Sequence, residues 1–488
     1  MNANMRKRFK LNFLILSAFF TPYLWGQGMS VSTPIALPDS LGNYHPQIEL
    51  TNDNVPAILW TSATLKNLYF SRYDGVSGFE PPLQLNPTGL PLQAYGWSGP
   101  DLAIWQDNIY VVFKEFGYST GHIYLVRSMD NGISFGDTVR VDNLSTGYAN
   151  YPDVAVSNDT VFVTFMDHDA GGLNPQYVVA RSLDGGATFE PAVDVSAILG
   201  DEACDCCQPE IIVNDKYVVV FFRNNDSNVR DVKAVVSYDR GATFTNVAVV
   251  DDHLWTIMSC PSSGPDAAFS GTDVMITAYR SRSAGVNRVF INEYDLLADS
   301  SIITSELSLG TGVTPNYPQI TYSSGNLGAV WEGRGADPDI FFNWSTSGVA
   351  GLDSINILNV TDATGTQSKP DICYGNGKYH VVWSEVSTNE VRYATISESL
   401  SIEDREPNAS FNIYPNPSSE TITVAHKMGS CSRCRLFITD VGGRMVLSTA
   451  NIGDGFEPID VSSWPAGIYM VSLIAEKTVR TEKLIVQP

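Results

Sequence analysis

The densest chemistry in the chain is a cysteine passage and the residues that follow it. Residues 201–209 read Asp201-Glu202-Ala203-Cys204-Asp205-Cys206-Cys207-Gln208-Pro209. Phe222-Arg223-Asn224 comes next, then Val229-Arg230-Asp231, then Trp255-Thr256-Ile257-Met258-Ser259-Cys260-Pro261. Four of the chain's seven cysteines fall here. Sulfur at this density supports three chemistries. In an exported chain disulfides come first, a vicinal Cys206–Cys207 bridge among them. A soft-metal thiolate site for copper or zinc is the second, with His253 as a further ligand. Thiol–disulfide redox chemistry is the third. Arg230 and Asp231 stand beside the sulfur as charged neighbours, and His168 reaches the same face from an earlier strand end.

These residues are positioned by a repeat. A proline followed by an acid or amide opens a strand at Pro46-Gln47, Pro100-Asp101, Pro152-Asp153, Pro209-Glu210, Pro265-Asp266, Pro318-Gln319 and Pro370-Asp371. The prolines are 54, 52, 57, 56, 53 and 52 residues apart. Each step leads to a second strand ending in an aromatic: Trp60, Phe113, Phe165, Phe222, Tyr279, Trp331 and Trp383. A third strand follows, as at 123–127, 232–236 and 340–344. Period-two apolar alternation bounded by Asn, Asp and Gly reads as β-strand. Repeats of about fifty residues with four short strands each predict an all-β, seven-bladed β-propeller, with six blades as the alternative. The seventh repeat supplies only three strands. Residues 29–37 lack a partner, so they are expected to form the outer strand of the last blade and close the ring.

In such a blade, the ends of the second strands share a face with the loops entering the inner strands. The strand ends bring Lys114, Glu115, Asp167, His168, Arg223, Asn224, Arg280, Arg282, Glu332, Arg334 and Glu385 to that face. The entering loops bring Tyr44, His45, Tyr151, the four cysteines and Tyr317. Charges of both signs and tyrosines converging on one opening suit a polar ligand.

Three repeats carry the pattern S-x-D-x-G-x-[ST]-F at 128–135, 182–189 and 237–244, with Asp130, Asp184 and Asp239 at its centre. Residues 71–75 are a degenerate copy. The Asp can accept turn N–H groups and the Gly can take a left-handed φ, so the pattern reads as a folding device. These elements resemble the Asp-box, or BNR, repeats of sialidases and related propellers. That resemblance implies a retaining glycoside hydrolase with three arginines on the substrate carboxylate, a tyrosine nucleophile polarised by a glutamate, and an aspartate acid/base. Sialidases are an exception to the two-carboxylate rule, because a neutral Tyr–Glu pair attacks a carboxylate-bearing centre with less repulsion. Carried onto this sequence, the roles fall to Arg223, Arg280 and Arg334, to Tyr317 with Glu332, and to Asp167. The chain departs from sialidases in its count of seven repeats, where they have six blades. It also reads His45-Pro46-Gln47-Ile48 where they place an arginine in an F/Y-R-I-P motif. The cysteine block itself, C-x-C-C followed by R-D and W-x-I-x-x-C-P-x-x-G-P, resembles a pattern in bacterial propellers known only as sialidase-like. Three functions stay open: an exo-α-sialidase, another glycan-active enzyme such as a polysaccharide lyase, and a non-catalytic module that binds glycan or glycoprotein.

Residues 1–26 read as a secretory signal, with Arg6, Lys7, Arg8 and Lys10 before an apolar run at 11–20 that is too short to span a bilayer. The chain of 488 residues holds 53 Asp and Glu against 30 Lys and Arg, a net charge of −23. That excess offers nucleic acid or an anionic membrane no counter-charge. It leaves room for Ca²⁺ in Asp-rich turns. No cofactor is required by the sequence.

Residues 27–398 form the expected propeller, 399–408 a charged linker, and 409–488 a small C-terminal β-sandwich. The last carries, in order, Tyr414-Pro415-Asn416-Pro417, Asp440-Val441-Gly442-Gly443-Arg444, Pro465-Ala466-Gly467-Ile468-Tyr469 and Lys483-Leu484-Ile485. The series resembles the type A C-terminal sorting domain of the Bacteroidetes type IX (Por) secretion system. It implies recognition by that machinery and a secreted or outer-membrane surface location. Cys431 and Cys434 are expected to close a short disulfide loop, with a redox or metal CxxC as the other reading. Cys373 is expected to be a buried free thiol.

Overall fold

The computed structural model describes residues 28–37, 43–398 and 410–488, apart from 77, 95–97, 143–146, 173, 308–312, 353–356, 362–363, 428–434, 443, 451–454 and 476–477. The expected signal, the linker, and Cys431 with Cys434 lie outside the described residues. The chain divides into two compact units, Met1–Ser399 and Leu400–Pro488.

The first unit holds seven antiparallel sheets among the described residues. The third is representative: Tyr148–Ser157, Thr160–His168, Gln176–Ser182 and Val193–Asp194, paired in that order. Its second strand is buried at eight of nine positions, and Pro56–Ser62 of the first sheet at all seven. Alternation in the sequence therefore does not become alternation in exposure. Each sheet is packed on both faces by its neighbours, so the Val-, Phe- and Trp-rich middle strands lie in core on either side. The aromatics that end the second strands are among that core, with Trp60, Trp331 and Trp383 almost wholly buried.

The ring closes as the unpaired N-terminal segment requires. Met29–Val31 pairs with Glu390–Glu398, matching Met29 with Glu398 and Val31 with Ile396. Ile35–Ala36 pairs further along the same strand, matching Ile35 with Tyr393. The innermost strands touch in sequence order, and that of the seventh sheet, Gln367–Gly375, touches that of the first, Asn43–Leu50.

The repeated proline–acid step acquires its reason here. The acid after the proline reaches sideways to the next innermost strand and accepts a backbone N–H. Ile48 donates to Asp371 at 2.6 Å, Val154 to Asp101 at 3.3 Å, Ile211 to Asp153 at 2.6 Å, and Ile320 to Asp266. At the first repeat the residue is an amide, and Gln47 donates to Asp101 at 3.1 Å. These side chains surround a central cavity of about 550 Å³. Burial and the neighbouring carboxylates disfavour the charged form of three of these acids. Burial holds Asp153 and Asp371 well above the usual carboxylate range and lifts Asp266 to about 7.

The second unit is two facing sheets. One comprises Ser410–Tyr414, Thr421–Lys427 and Gly455–Asp460; the other comprises Arg435–Asp440, Met445–Ala450, Gly467–Ala475 and Thr478–Val486. Ile422 and Val424 from one pack with Leu436, Ile438 and Val471 from the other.

Candidate functional site

The cysteine passage is laid over the entrance to the fourth sheet. Glu202–Ala203 pairs with Asn224 and Asn225 at the end of the second strand, Val218–Asn225. The Tyr177 hydroxyl, wholly buried, sits 2.8 Å from the carbonyls of both Cys204 and Cys207 and pins the turn. Cys206 and Cys260 form a disulfide across the entrances of two neighbouring sheets. The expected vicinal Cys206–Cys207 bridge is therefore absent. The repeat puts residue 260 over the next blade entrance, within reach of Cys206, whose Cα lies 6.0 Å from that of Cys260. Cys204 and Cys207 remain buried thiols with their sulfurs 3.5 Å apart, and Cys204 Sγ is 3.6 Å from Cys206 Sγ. Cys373 is the third buried free thiol, as expected.

Among the described residues, the ligand atoms of Cys204, Cys206 and Cys207 make one grouping within 4.8 Å of one another. With Cys206 oxidised, two sulfurs remain, and a guanidinium already occupies one of them: Arg230 Nη1 lies 2.9 Å from Cys204 Sγ. His253 does not join the sulfur. Its Nδ1 is 2.8 Å from Asp251, whose carboxylate holds it above its usual range, and its ring packs 3.9 Å from that of Phe290. His168 is stacked on Tyr148 at 4.5 Å, and burial pulls its pKa down.

Asp231 and the Trp255 passage form a second layer. Asp231 accepts the Trp255 N–H at 2.8 Å, and Arg230 N–H donates back to the Trp255 carbonyl at 2.9 Å. The indole so placed packs against Arg223 and Arg280, each guanidinium carbon 5.3 Å from its ring. Arg223 has no exposed surface. Its Nε donates to Ser263 O and its Nη1 to Arg230 O, both at 2.8 Å, and its Nη2 donates to Arg280 O. A guanidinium sealed among backbone carbonyls ties two loops to the strand that carries Arg280 and presents nothing to a ligand. The expected carboxylate-binding role of Arg223 is corrected accordingly.

The other residues of the expected hydrolytic set separate into two places. Tyr317, Glu332, Arg334 and Arg280 gather at the end of the channel where the innermost strands begin. Arg334 Nε donates to Glu332, and its guanidinium carbon lies 4.9 Å from the Tyr317 ring. Arg280 reaches Asn316, next to Tyr317, at 3.2 Å. Asp167 ends the second strand of the third sheet, whereas Tyr317 enters the sixth.

One residue that sequence reasoning missed joins this place. Lys369 Nζ sits 2.7 Å from the centroid of the Tyr317 ring, buried and without a hydrogen-bond partner among the described residues. Burial drives its pKa well below the ordinary lysine value, and burial with Lys369 nearby lowers that of His45 to about 3. The signal was present, because Lys369 precedes Pro370 as His45, Tyr151 and Tyr317 precede theirs. These four residues have φ of 54°, 55°, 56° and 48°. Each sits in a bulge where the first strand shifts register. Bulky residues before proline rarely take the left-handed region, and such strain gathers at functional sites. The second sheet carries glycine at this position. A Cβ on Gly99 would lie 2.5 Å from the His45 ring.

The Asp-box turns are far more local. In the second such turn, Ser182 donates to Asp184 at 2.7 Å, Thr188 N–H and hydroxyl donate to its two oxygens at 2.9 and 2.7 Å, and Gly186 N–H donates to Ser182. Asp130 and Asp239 repeat the arrangement. Hydrogen bonds hold all three carboxyls at about 2. Both oxygens accept from the carboxylate's own loop.

The first unit is thus a closed ring of antiparallel sheets, a β-propeller. Residues 412–487 match the secretion system C-terminal sorting domain family. The chain is therefore a type IX secretion substrate, directed to the cell surface or extracellular space. No helix among the described residues is long and apolar enough to cross a membrane. Comparison with curated proteins finds no match. Among solved structures, the chain is similar to a sialidase of Trypanosoma rangeli at 13% identity, covering 93% of this chain and 89% of that one, TM-score 0.44. It is also similar to the α-L-arabinofuranosidase Arb93A of Fusarium graminearum at 14% identity, 64% and 95% covered, TM-score 0.43. A third is the NanB sialidase of Streptococcus pneumoniae at 9% identity, 70% and 83% covered, TM-score 0.41.

Proposed function

We propose that the propeller binds an extracellular glycan where its innermost strands begin, and that it takes a carboxylated sugar there. The carrying observation is the convergence of Arg334 and Lys369 on the Tyr317 ring. Arg334 is 46% exposed at its side chain, so its guanidinium can reach a ligand carboxylate, while Glu332 beneath it is nearly buried and steadies it. Export to the cell exterior brings such ligands within reach.

A hydrolytic reading has narrower support. Tyr317 and Glu332 share one place with two arginines, but Asp167 belongs to another sheet and Arg223 is sealed. Incubating the secreted protein with an array of sialylated, uronic-acid-bearing and neutral glycans separates the readings. Retention of acidic glycans without product supports binding. Release of free sialic acid would move the assignment to a hydrolase. Retention of neutral glycans alone would overturn the carboxylate part of the proposal.

A further inference from the structure

The cysteine cluster holds a nucleophile, an electrophile and a leaving group in one place, and the glycan reading uses none of them. The electrophile is the Cys206–Cys260 disulfide. The nucleophile is Cys204, 3.6 Å from the Cys206 sulfur. Three neighbours favour its thiolate: the Cys207 thiol at 3.5 Å, the Arg230 guanidinium at 2.9 Å, and Arg223 beyond them. The leaving group is Cys260, which is exposed and whose sulfur lies 3.0 Å from the Ser262 hydroxyl.

We propose that this cluster is a thiol–disulfide exchange site that can release a reactive thiolate at the protein surface. The Cys204 thiolate attacks Cys206 Sγ. A Cys204–Cys206 bond forms, the Cys206–Cys260 bond breaks, and the electron pair leaves on Cys260 Sγ, where the Ser262 hydroxyl stabilises it. No net oxidation occurs, and no outside reagent has to reach the buried Cys204. The freed Cys260 thiolate then attacks one sulfur of a disulfide-bearing molecule. A mixed disulfide forms at Cys260, and the second sulfur of that molecule departs as thiolate. The substrate class is therefore an extracellular disulfide, small or carried on a protein.

The electrostatics agree with the geometry. The Cys207 hydrogen bond, helped by the two guanidiniums, brings Cys204 down to about 7 against the opposing effect of burial, while burial keeps Cys207 well above the ordinary thiol value. An attacking thiol poised near ambient pH is the fastest in such exchange. A structural staple would have no use for a lowered thiol on its inner side.

The test is to expose the full-length native protein to the aromatic disulfide 5,5′-dithiobis(2-nitrobenzoate) and follow release of the coloured thiolate. Peptides are then mapped without reduction. The expected product carries the aryl thiol on Cys260 and a new Cys204–Cys206 link. Its rate should rise with pH through about 7. Cys204→Ser should abolish labelling at Cys260, and Cys373→Ser should leave it unchanged. A native protein with no label on Cys260, or with label on Cys204 or Cys207 and the Cys206–Cys260 link intact, overturns the proposal. The wild-type map decides the matter even if Cys204→Ser fails to fold.

Discussion

Arg223, Arg280 and Arg334 occupy equivalent ends of second strands in three successive sheets, and they do three different things. Arg223 is enclosed and bound to three backbone carbonyls; Arg280 is half-buried between Trp255 and Asn316; Arg334 leans out over Tyr317. The sequence puts all three on one face but cannot say which a loop will cover, because coverage of Arg223 depends on the long passages at 226–231 and 255–263. Two predictions separate the roles. Arg223→Ala orphans buried carbonyls and should lower stability by about 3 kcal/mol or more, read as a fall in thermal midpoint. Arg334→Ala should also lower that midpoint, because the nearly buried Glu332 carboxylate loses its partner, but it alone should weaken an acidic glycan by about ten- to a hundredfold in the folded protein, the worth of a charge-assisted bond. The cysteines teach the same lesson. Four of them allow three pairings, so the sequence could name the cluster but not the Cys206–Cys260 link.

Strands and turns were more legible, because each depends on neighbours close in sequence. The Asp-box is closed by its own residues, and its glycine faces the preceding sheet. Gly241 has φ +74°, and a Cβ there would lie 2.9 Å from the Phe162 ring. Gly241→Ala should therefore cost about 1–2 kcal/mol from backbone strain alone, seen as a lower urea midpoint with the fold retained. The proline–acid step was visible as a repeat but not as a device. Its partner is a backbone N–H in the next sheet, some fifty residues away, and periodicity alone carries no such information. Lys369 was overlooked for a related reason, since a lysine before a strand reads as solvated.

At the scale of the ring, the buried acids make stability depend on pH. Asp266 is lifted to about 7 by burial, above its value of about 4 in an unfolded chain. Its protonated form is the one the fold accepts, so its contribution is fullest below about pH 4 and is lost as pH rises toward 7. His45, lowered to about 3, opposes this trend, because its neutral form is favoured and acid destabilises it. The difference between wild type and Asp266→Asn isolates the acid. Asn keeps the oxygen that receives Ile320 N–H, so its advantage over wild type should grow between pH 4 and pH 7 and then level off in thermal scans. A constant difference would contradict the buried-ring account. The seven repeats, the closing segment 29–37 and the sorting tail were readable at this scale because each is a pattern in order and spacing.

The most direct measurement is a calorimetric titration of the secreted protein with a sialylated oligosaccharide and with its desialylated counterpart, repeated on Arg334→Ala. Wild type should bind the sialylated form more tightly, and the variant should lose that preference. Equal binding of both sugars by wild type, or an unchanged preference in Arg334→Ala, would contradict the proposed carboxylate site.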